Sequence, residues 1–223
     1  MVGKTNSYYN KEYYNITTTI PDDFQVVEYI ESDGVSYIDT ELLAHSNMKC
    51  EVVFSFNELP NDGCLIGCRY NRVSNSRLYF YHYFQGNKLG YGNYFGNGNI
   101  SVNTIYTVKS KLYQNEQFLI INNEKIIENN IIDYINTHNT FHIFGMNIGD
   151  EGNQLTVKAK IYSCKIWDEN IIAKYFIPVY NKKTNEMGLY DIVAQKFHIN
   201  MGSGIFNKGN DTFLSTINID CNF

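Results

Sequence analysis

Lys49-Cys50-Glu51-Val52-Val53-Phe54-Ser55-Phe56 sets an apolar side chain at every second position. Cys50, Val52, Phe54 and Phe56 share one face, and Glu51, Val53 and Ser55 form a more polar one. A period of two marks a strand with one buried side, because successive side chains leave a pleated backbone in opposite directions. A second run, Leu78-Tyr79-Phe80-Tyr81-His82-Tyr83-Phe84, keeps the period but is aromatic on both faces: Leu78, Phe80, His82 and Phe84 against Tyr79, Tyr81 and Tyr83. Such a strand is covered on both sides, or covered on one and turned toward a ligand or partner on the other.

Outward from these two runs the same rhythm repeats. Short apolar segments recur from Phe24 onward, separated by Gly, Asn and Asp clusters, which is the spacing of a sandwich or barrel rather than of alternating strands and helices. Strands are expected near 25–30, 35–40, 48–56, 63–69, 77–84, 89–94, 104–111, 117–122, 140–145, 155–167, 173–179, 187–190 and 196–199. Strict alternation through the 155–167 run places Ile161, Ser163 and Lys165 opposite Tyr162, Cys164 and Ile166. Glu124 to Asn136 fits neither period cleanly and reads as a short helix or as two strands. Composition agrees: aromatics make up 15 %, Ala is scarce and Asn is the commonest residue, which favours strands and turns over helices. The fold class is all-β. At 223 residues one sandwich domain is the default, spanning 24–208, with an N-terminal arm over 1–23 that ends at the turn signal Pro21-Asp22-Asp23 and a C-terminal extension over 209–223.

Charge and cysteines narrow the function classes. The formal net charge is −5, and no basic run interrupts it, so nucleic acid is not an expected partner. The five cysteines, Cys50, Cys64, Cys68, Cys164 and Cys221, are odd in number and follow neither a disulfide nor a zinc spacing, and they read as buried free thiols. Met1 to Asn10 carries no apolar stretch behind Lys4, so the expectation is cytoplasmic synthesis without a secretory signal. No window reaches the length of a membrane span, and membrane insertion is not expected.

Several stretches together carry a family resemblance: Val27-Glu-Tyr-Ile-Glu-Ser-Asp-Gly-Val-Ser-Tyr-Ile-Asp-Thr40, then Ala159-Lys-Ile-Tyr-Ser-Cys-Lys-Ile-Trp-Asp168, Tyr175-Phe-Ile-Pro-Val-Tyr180 and Gly188-Leu-Tyr-Asp-Ile-Val-Ala-Gln-Lys-Phe-His-Ile-Asn200, closing near Gly202-Ser-Gly-Ile-Phe206. In order and spacing these resemble the laminin-G-like, concanavalin A-like domains of phage particles and gut-bacterial surface proteins. The resemblance covers about 25–208 and implies a two-sheet antiparallel jelly roll that binds glycans or proteins. Physically the same motifs read as fold-determining: Ser32-Asp33-Gly34 turns the chain, and Pro178, lacking a backbone donor, is expected at an edge or strand end.

No catalytic centre is legible. Retaining glucanase jelly rolls need carboxylates on one strand face about 5 Å apart; Glu28, Glu31 and Asp33 come closest, but Glu28 and Glu31 fall on opposite faces and Asp33 precedes a turn glycine. His138 and His142 share a four-residue spacing, yet their segment reads as a strand, which puts them about 13 Å apart and outside the reach of one zinc. Calcium is the metal the sequence admits: Asn147, Asp150, Glu151 and Asn153 supply hard oxygen donors on one loop, against the plainer reading of an Asx-rich turn. For a glycan, which needs a ring for its C–H face and amides or guanidinium groups for its hydroxyls, the best candidates are Arg69, Tyr70, Tyr91, Asn93 and Tyr94.

The leading expectation is a non-catalytic virion protein, a fibre, decoration or tail-associated component. Its jelly roll would display a surface for host glycan or protein, while its arms pair with neighbouring subunits in a homo-oligomer or larger assembly. The alternative is a stand-alone carbohydrate-binding module of an extracellular or cell-surface protein; a glycoside hydrolase ranks below both.

Overall fold

The computed structural model describes residues 16–45, 47–69, 81–91, 94–96, 100–113, 116–129, 138–213, 217–219 and 223. In chain order the strands are β1 Ile16–Thr18, β2 Phe24–Val26, β3 Ile30–Ser32, β4 Ile38–Leu43, β5 Met48–Ser55, β6 Gly63–Cys68 and β7 Tyr81–Gln85. There follow β8 Lys88–Tyr91, β9 Tyr94–Gly96, β10 Tyr106–Tyr113, β11 Glu116–Ile121, β12 Glu124–Asn129, β13 Thr140–Ile143, β14 Met146–Asn147 and β15 Asn153–Gln154. The last are β16 Lys160–Asp168, β17 Ile171–Asn181, β18 Met187–Asp191, β19 Lys196–Ile199, β20 Phe206–Lys208 and β21 Ile217–Ile219. One 3-10 turn, Gly149–Glu151, is the sole helical element among the described residues.

These strands form an all-β, two-sheet jelly-roll sandwich. The larger sheet runs β12-β11-β10-β5-β16-β17-β18-β19, with β2 added to β17 and β20-β3 added to β16. The smaller runs β15-β14-β6-β7-β8-β9, with β13 attached at β6 and β4 attached to β13. Pairing is antiparallel except between β14 and β6, where Met146↔Gly67 and Asn147↔Cys68 run parallel.

The alternation in β5 decides how the larger sheet faces. Cys50, Val52 and Phe54 are fully buried and meet Val108, Ile161, Cys164, Ile166 and Phe176 from their own sheet and Ile38, Phe84, Leu89, Phe141 and Ile143 from the other. Phe54 lies 5.4 Å from Phe84 and Phe56 4.8 Å, edge to face, so aromatic contacts join the sheets. His82 and Phe84 are buried on the interior face of β7, as the alternation implies; Leu78 to Phe80 lie outside the described residues. His82 Nε2 is 2.8 Å from Ser110 Oγ on β10, a buried polar contact from one sheet to the other. Burial pushes the His82 imidazole down to about 3. Cys50, Cys64, Cys68 and Cys164 are buried thiols, and burial raises the pKa of Cys50 and Cys64.

Several strand expectations need correction. The 155–167 run is a strand only from Lys160, and its alternation is broken once. The register with β5 shifts between Ile161 and Ser163, so Tyr162 is the extra residue of a bulge and Ile161 joins Cys164 and Ile166 in the core instead of opposing them. The register with β17 shifts between Ile166 and Trp167, but there the extra residue is Ala173 of β17; β16 keeps its register with β5 from Ser163 to Asp168, so Trp167 faces away from Ile166 by plain alternation. Pro178 is not at a strand end. It sits inside β17 where the neighbour changes from β16, last paired at Phe176, to β2, first paired at Val179, so its missing donor falls at a gap between ladders. Glu124–Asn129 is a strand; residues 130–137 lie outside the described part.

A second apolar cluster, Val26, Trp167, Ile172, Ile177, Val179, Tyr190 and Ile192, covers part of the outer face of the larger sheet, with Ile20, Phe24, Phe197 and Phe223 packed on it. The termini take part. Gly209 N donates to Tyr29 O, Glu28 N to Asn210 O and Thr212 N to Val26 O, so pairing continues past residue 208. Residues 16–18 pair with 217–219 of the same chain in a two-stranded sheet, and the Phe223 ring lies 5.1 Å from Trp167.

Candidate functional site

On the outer face of the larger sheet, bordering that cluster at Tyr175, polar and aromatic side chains gather. Its floor follows from β5: with Cys50, Val52 and Phe54 inward, Glu51, Val53 and Ser55 must point out. Register then assembles cross-strand rows. One row reads Asn207–Glu31–Lys160–Ser55 across β20, β3, β16 and β5. The next reads Ser163–Val53–Thr107, and the third Tyr175–Lys165–Glu51–Lys109 across β17, β16, β5 and β10. From Ser55 to Glu51 is four residues along a strand, about 14 Å, and β10 to β17 is three strand spacings, also about 14 Å.

The groups in these rows hold one another in place. The bulge at Tyr162 swings its ring edge-on to Tyr29, with centroids 5.6 Å apart, and its hydroxyl lies 3.2 Å from Ser55 Oγ. Lys160 Nζ stands 4.6 Å over the Tyr29 ring. Asn57 Nδ2 donates to Glu31 Oε1. At the other end Glu51 bridges Lys109 Nζ at 3.0 Å and Lys165 Nζ at 3.6 Å, and Lys165 Nζ sits 5.0 Å over the Tyr175 ring. Burial, and then the Glu51 carboxylate, raise the Tyr175 phenol above its ordinary value, keeping it a neutral hydrogen-bonding group. Tyr29, Glu31, Lys160, Tyr162, Lys165 and Tyr175 are all half-buried. The face thus offers rings, an amide, carboxylates, ammonium groups and hydroxyls, held yet accessible.

A depression of about 360 Å³ opens beside it at the end of the sandwich, lined by Gly34, Glu58 to Asp62 and Thr156 to Lys158. Gly34 has φ +95, and a Cβ there would meet Lys158 Cγ at 3.0 Å, so glycine sets this wall. Asp33 anchors the adjoining turn: Oδ1 accepts from Val35 N, Ser36 N and Ser36 Oγ, and Oδ2 from Ile205 N. Burial opposes the ionised form of Asp33, but those hydrogen bonds outweigh it and lower the pKa. The depression has no aromatic ring among its lining residues, which leaves it poorer than the sheet face as a surface for a sugar ring.

The residues singled out from the sequence lie elsewhere. Arg69 is half-buried just after β6; its N–H donates to Asn147 O at 2.7 Å and its carbonyl accepts from Asn139 Nδ2. Tyr91 and Tyr94 are backbone partners in the β8–β9 hairpin, two strands away from β6; their side chains, with Tyr70 and Asn93, fall outside the described residues. On the proposed calcium loop, Asn147 and Asn153 pair across β14 and β15. The Asn147 Oδ1 accepts from Gly149 N, its Nδ2 donates to Thr140 O, and Asn153 Oδ1 is 2.9 Å from His142 Nδ1. Both amide oxygens therefore already accept, and the exposed Asp150 and Glu151 of the 3-10 turn are the loop's carboxylates. Of the carboxylates weighed for catalysis, Asp33 is tied into the turn, Glu31 is paired with Asn57 and Glu28 is exposed. Among the described residues no cluster of three or more His, Cys, Asp or Glu is placed to hold a metal ion.

No protein-family model matches the chain, and no curated protein is similar to it in sequence. Solved structures are similar in fold. A Bacteroides ovatus protein provisionally assigned as carbohydrate-binding superposes with a TM-score of 0.56 at 12 % identity, over 89 % of this chain and 62 % of that one. Domains LG4-5 of the mouse laminin α1 chain superpose at 0.44 with 10 % identity, over 73 % of this chain and 47 % of theirs. The chain thus spans less than two thirds of either structure. The likeness to the first, with the two-sheet topology, is one of fold: an antiparallel jelly-roll sandwich.

Proposed function

We propose that this chain is a non-catalytic glycan-binding module whose contact surface is the open face of the larger sheet around Tyr29, Tyr162, Lys165 and Tyr175. The observation that carries the reading is the row arrangement itself. Half-buried tyrosines alternate with paired ammonium, carboxylate and amide groups over about 14 Å of exposed sheet, the mix that sugars need for their C–H faces and hydroxyls. Binding rather than reaction suits this face, because Glu31 and Glu51 are both engaged by neighbours at opposite ends of the patch. The fold likeness to a carbohydrate-binding protein supports the same reading.

A glycan microarray probed with the full chain and with Tyr162→Ala tests it. Binding by the parent that the variant loses, with the variant's circular dichroism unchanged, is the expected result; equal binding by both would overturn the assignment of the surface.

The narrower placement at a virion surface, with the arms joining subunits, rests on the sequence: the resemblance, the polar opening segment and the two extensions. Because 16–18 pair with 217–219 of the same chain, its test is removal of 1–15 alone, which should abolish assembly and leave a folded monomer. Normal assembly of the shortened chain would refute the anchoring role.

A further inference from the structure

We infer that Cys50 and Cys164 are a latent disulfide, two thiols in the fold described above and a covalent link between β5 and β16 when the chain folds beside a disulfide oxidant. Register makes the pair. Cys50 lies opposite Ile166 and Cys164 opposite Val52, so the two cysteines are diagonal neighbours on adjacent antiparallel strands. Both point into the core and neither is exposed at all. Their side chains touch, one thiol donating a hydrogen bond to the other's sulfur. Diagonal Cα atoms on a sheet are about 7–8 Å apart, at the long end of what a disulfide spans, so closing the bond draws the strands slightly together. Cys64 and Cys68 are not so placed. They stand four residues apart on one strand, about 13 Å, and Cys64 packs with Met146 and Ile148 in a separate cluster while Cys68 belongs to the main core.

Burial decides when the bond can form. In the finished fold it raises the Cys50 thiol above its ordinary value and keeps oxidants out, so both groups stay neutral and inert. While the chain folds, the thiols are accessible and titrate normally. One thiolate of the pair then attacks glutathione disulfide, forming a mixed disulfide and expelling one glutathione thiolate. The second thiolate attacks the protein sulfur of that mixed disulfide and expels the other. Two protein thiols are oxidised, one glutathione disulfide is reduced to two glutathiones, and the two thiol protons end on the glutathione sulfurs. Cys50 and Cys164 are more than a hundred residues apart in the chain, and a crosslink that closes so long a loop restricts the unfolded chain strongly. The fold therefore needs no disulfide where thiols stay reduced, and gains a staple inside its core where they do not.

Refolding the full chain from urea with a mixture of reduced and oxidised glutathione tests the inference. After alkylation and digestion, mass spectrometry of the refolded monomer should show Cys50 joined to Cys164 as the main crosslink, with Cys64 and Cys68 alkylated. In urea unfolding the crosslinked form should have a folding constant at least roughly tenfold above that of the reduced form, and dithiothreitol should erase the gain. Cys50→Ala and Cys164→Ala, each compared with itself refolded without oxidant, should show no gain. The crosslink map is read on the parent chain, so a variant that folds poorly leaves the test intact. Recovery of both Cys50 and Cys164 as alkylated thiols from protein refolded with oxidant, its circular dichroism unchanged, would overturn the inference. So would a main crosslink that joins any other pair.

Discussion

Acid should destabilise this protein through one side chain in particular. His82 is wholly buried between the sheets, 2.8 Å from Ser110 Oγ, and its imidazole is pushed from 6.5 to about 3 by burial. In the unfolded chain the same ring titrates at its ordinary value, so between pH 3 and 6.5 the unfolded state holds one proton more. Stability therefore rises with pH through that window, is fully present above 6.5 and is lost as pH falls toward 3. The slope is about 1.4 kcal/mol per pH unit, giving a loss of about 3 kcal/mol between pH 7 and pH 4. That is a large part of the 5–15 kcal/mol, roughly, that holds a domain folded. Urea unfolding at pH 7, 5 and 4 of the parent and of His82→Leu isolates the effect, because the other titrating groups are common to both. The parent should lose about 3 kcal/mol more than the variant over that range. Identical pH dependence in the two proteins, or an NMR titration of His82 centred near 6.5, would refute the reasoning.

Other consequences follow from the same geometry. Phe54→Ala removes the ring that joins both sheets and should cost about 3–5 kcal/mol in urea unfolding. Asp191→Asn leaves the Lys174 ammonium, 2.9 Å away and only 12 % exposed, without its counter-charge, which should cost about 3–5 kcal/mol; replacing Lys174 by Met and Asp191 by Leu together should recover most of it. Asp33→Ala deletes the acceptor for Val35, Ser36 and Ile205 and should lower stability by about 2 kcal/mol at pH 7. Millimolar calcium should leave Tm unchanged, because the Asn147 and Asn153 amide oxygens are already engaged; a rise in Tm that Asp150→Asn removes would contradict this.

The fold was legible where one face of a strand is buried and the register is regular. Cys50, Val52 and Phe54 state the inner face of β5 outright, and the turn at Ser32-Asp33-Gly34 is written in its residues. Legibility failed at Tyr162, where a bulge resets the alternation: a bulge depends on what the partner strands offer, and nothing local to Lys160–Asp168 announces it. Pro178 misled for the same reason, since the gap it exploits is between two other strands. The proposed contact face was not among the candidates drawn from the sequence. Arg69, Tyr91 and Tyr94 drew attention because suitable residue types stand close together in the chain, whereas Tyr29 meets Tyr162, and Glu51 meets Lys109 and Lys165, only through pairing across β3, β5, β10 and β16. The alternation that gave β5 its buried side also pointed Glu51 and Ser55 outward, and that was the one available signal.

Where a bound sugar polymer touches the molecule is the most direct test of the proposed face. Amide and side-chain NMR shifts recorded during titration with a glycan that binds should move at Tyr29, Glu31, Tyr162, Lys165 and Tyr175 and leave the 147–153 loop still. Shifts confined to that loop, to the depression at Glu58 to Asp62, or to the β8–β9 hairpin would place the ligand elsewhere and contradict it.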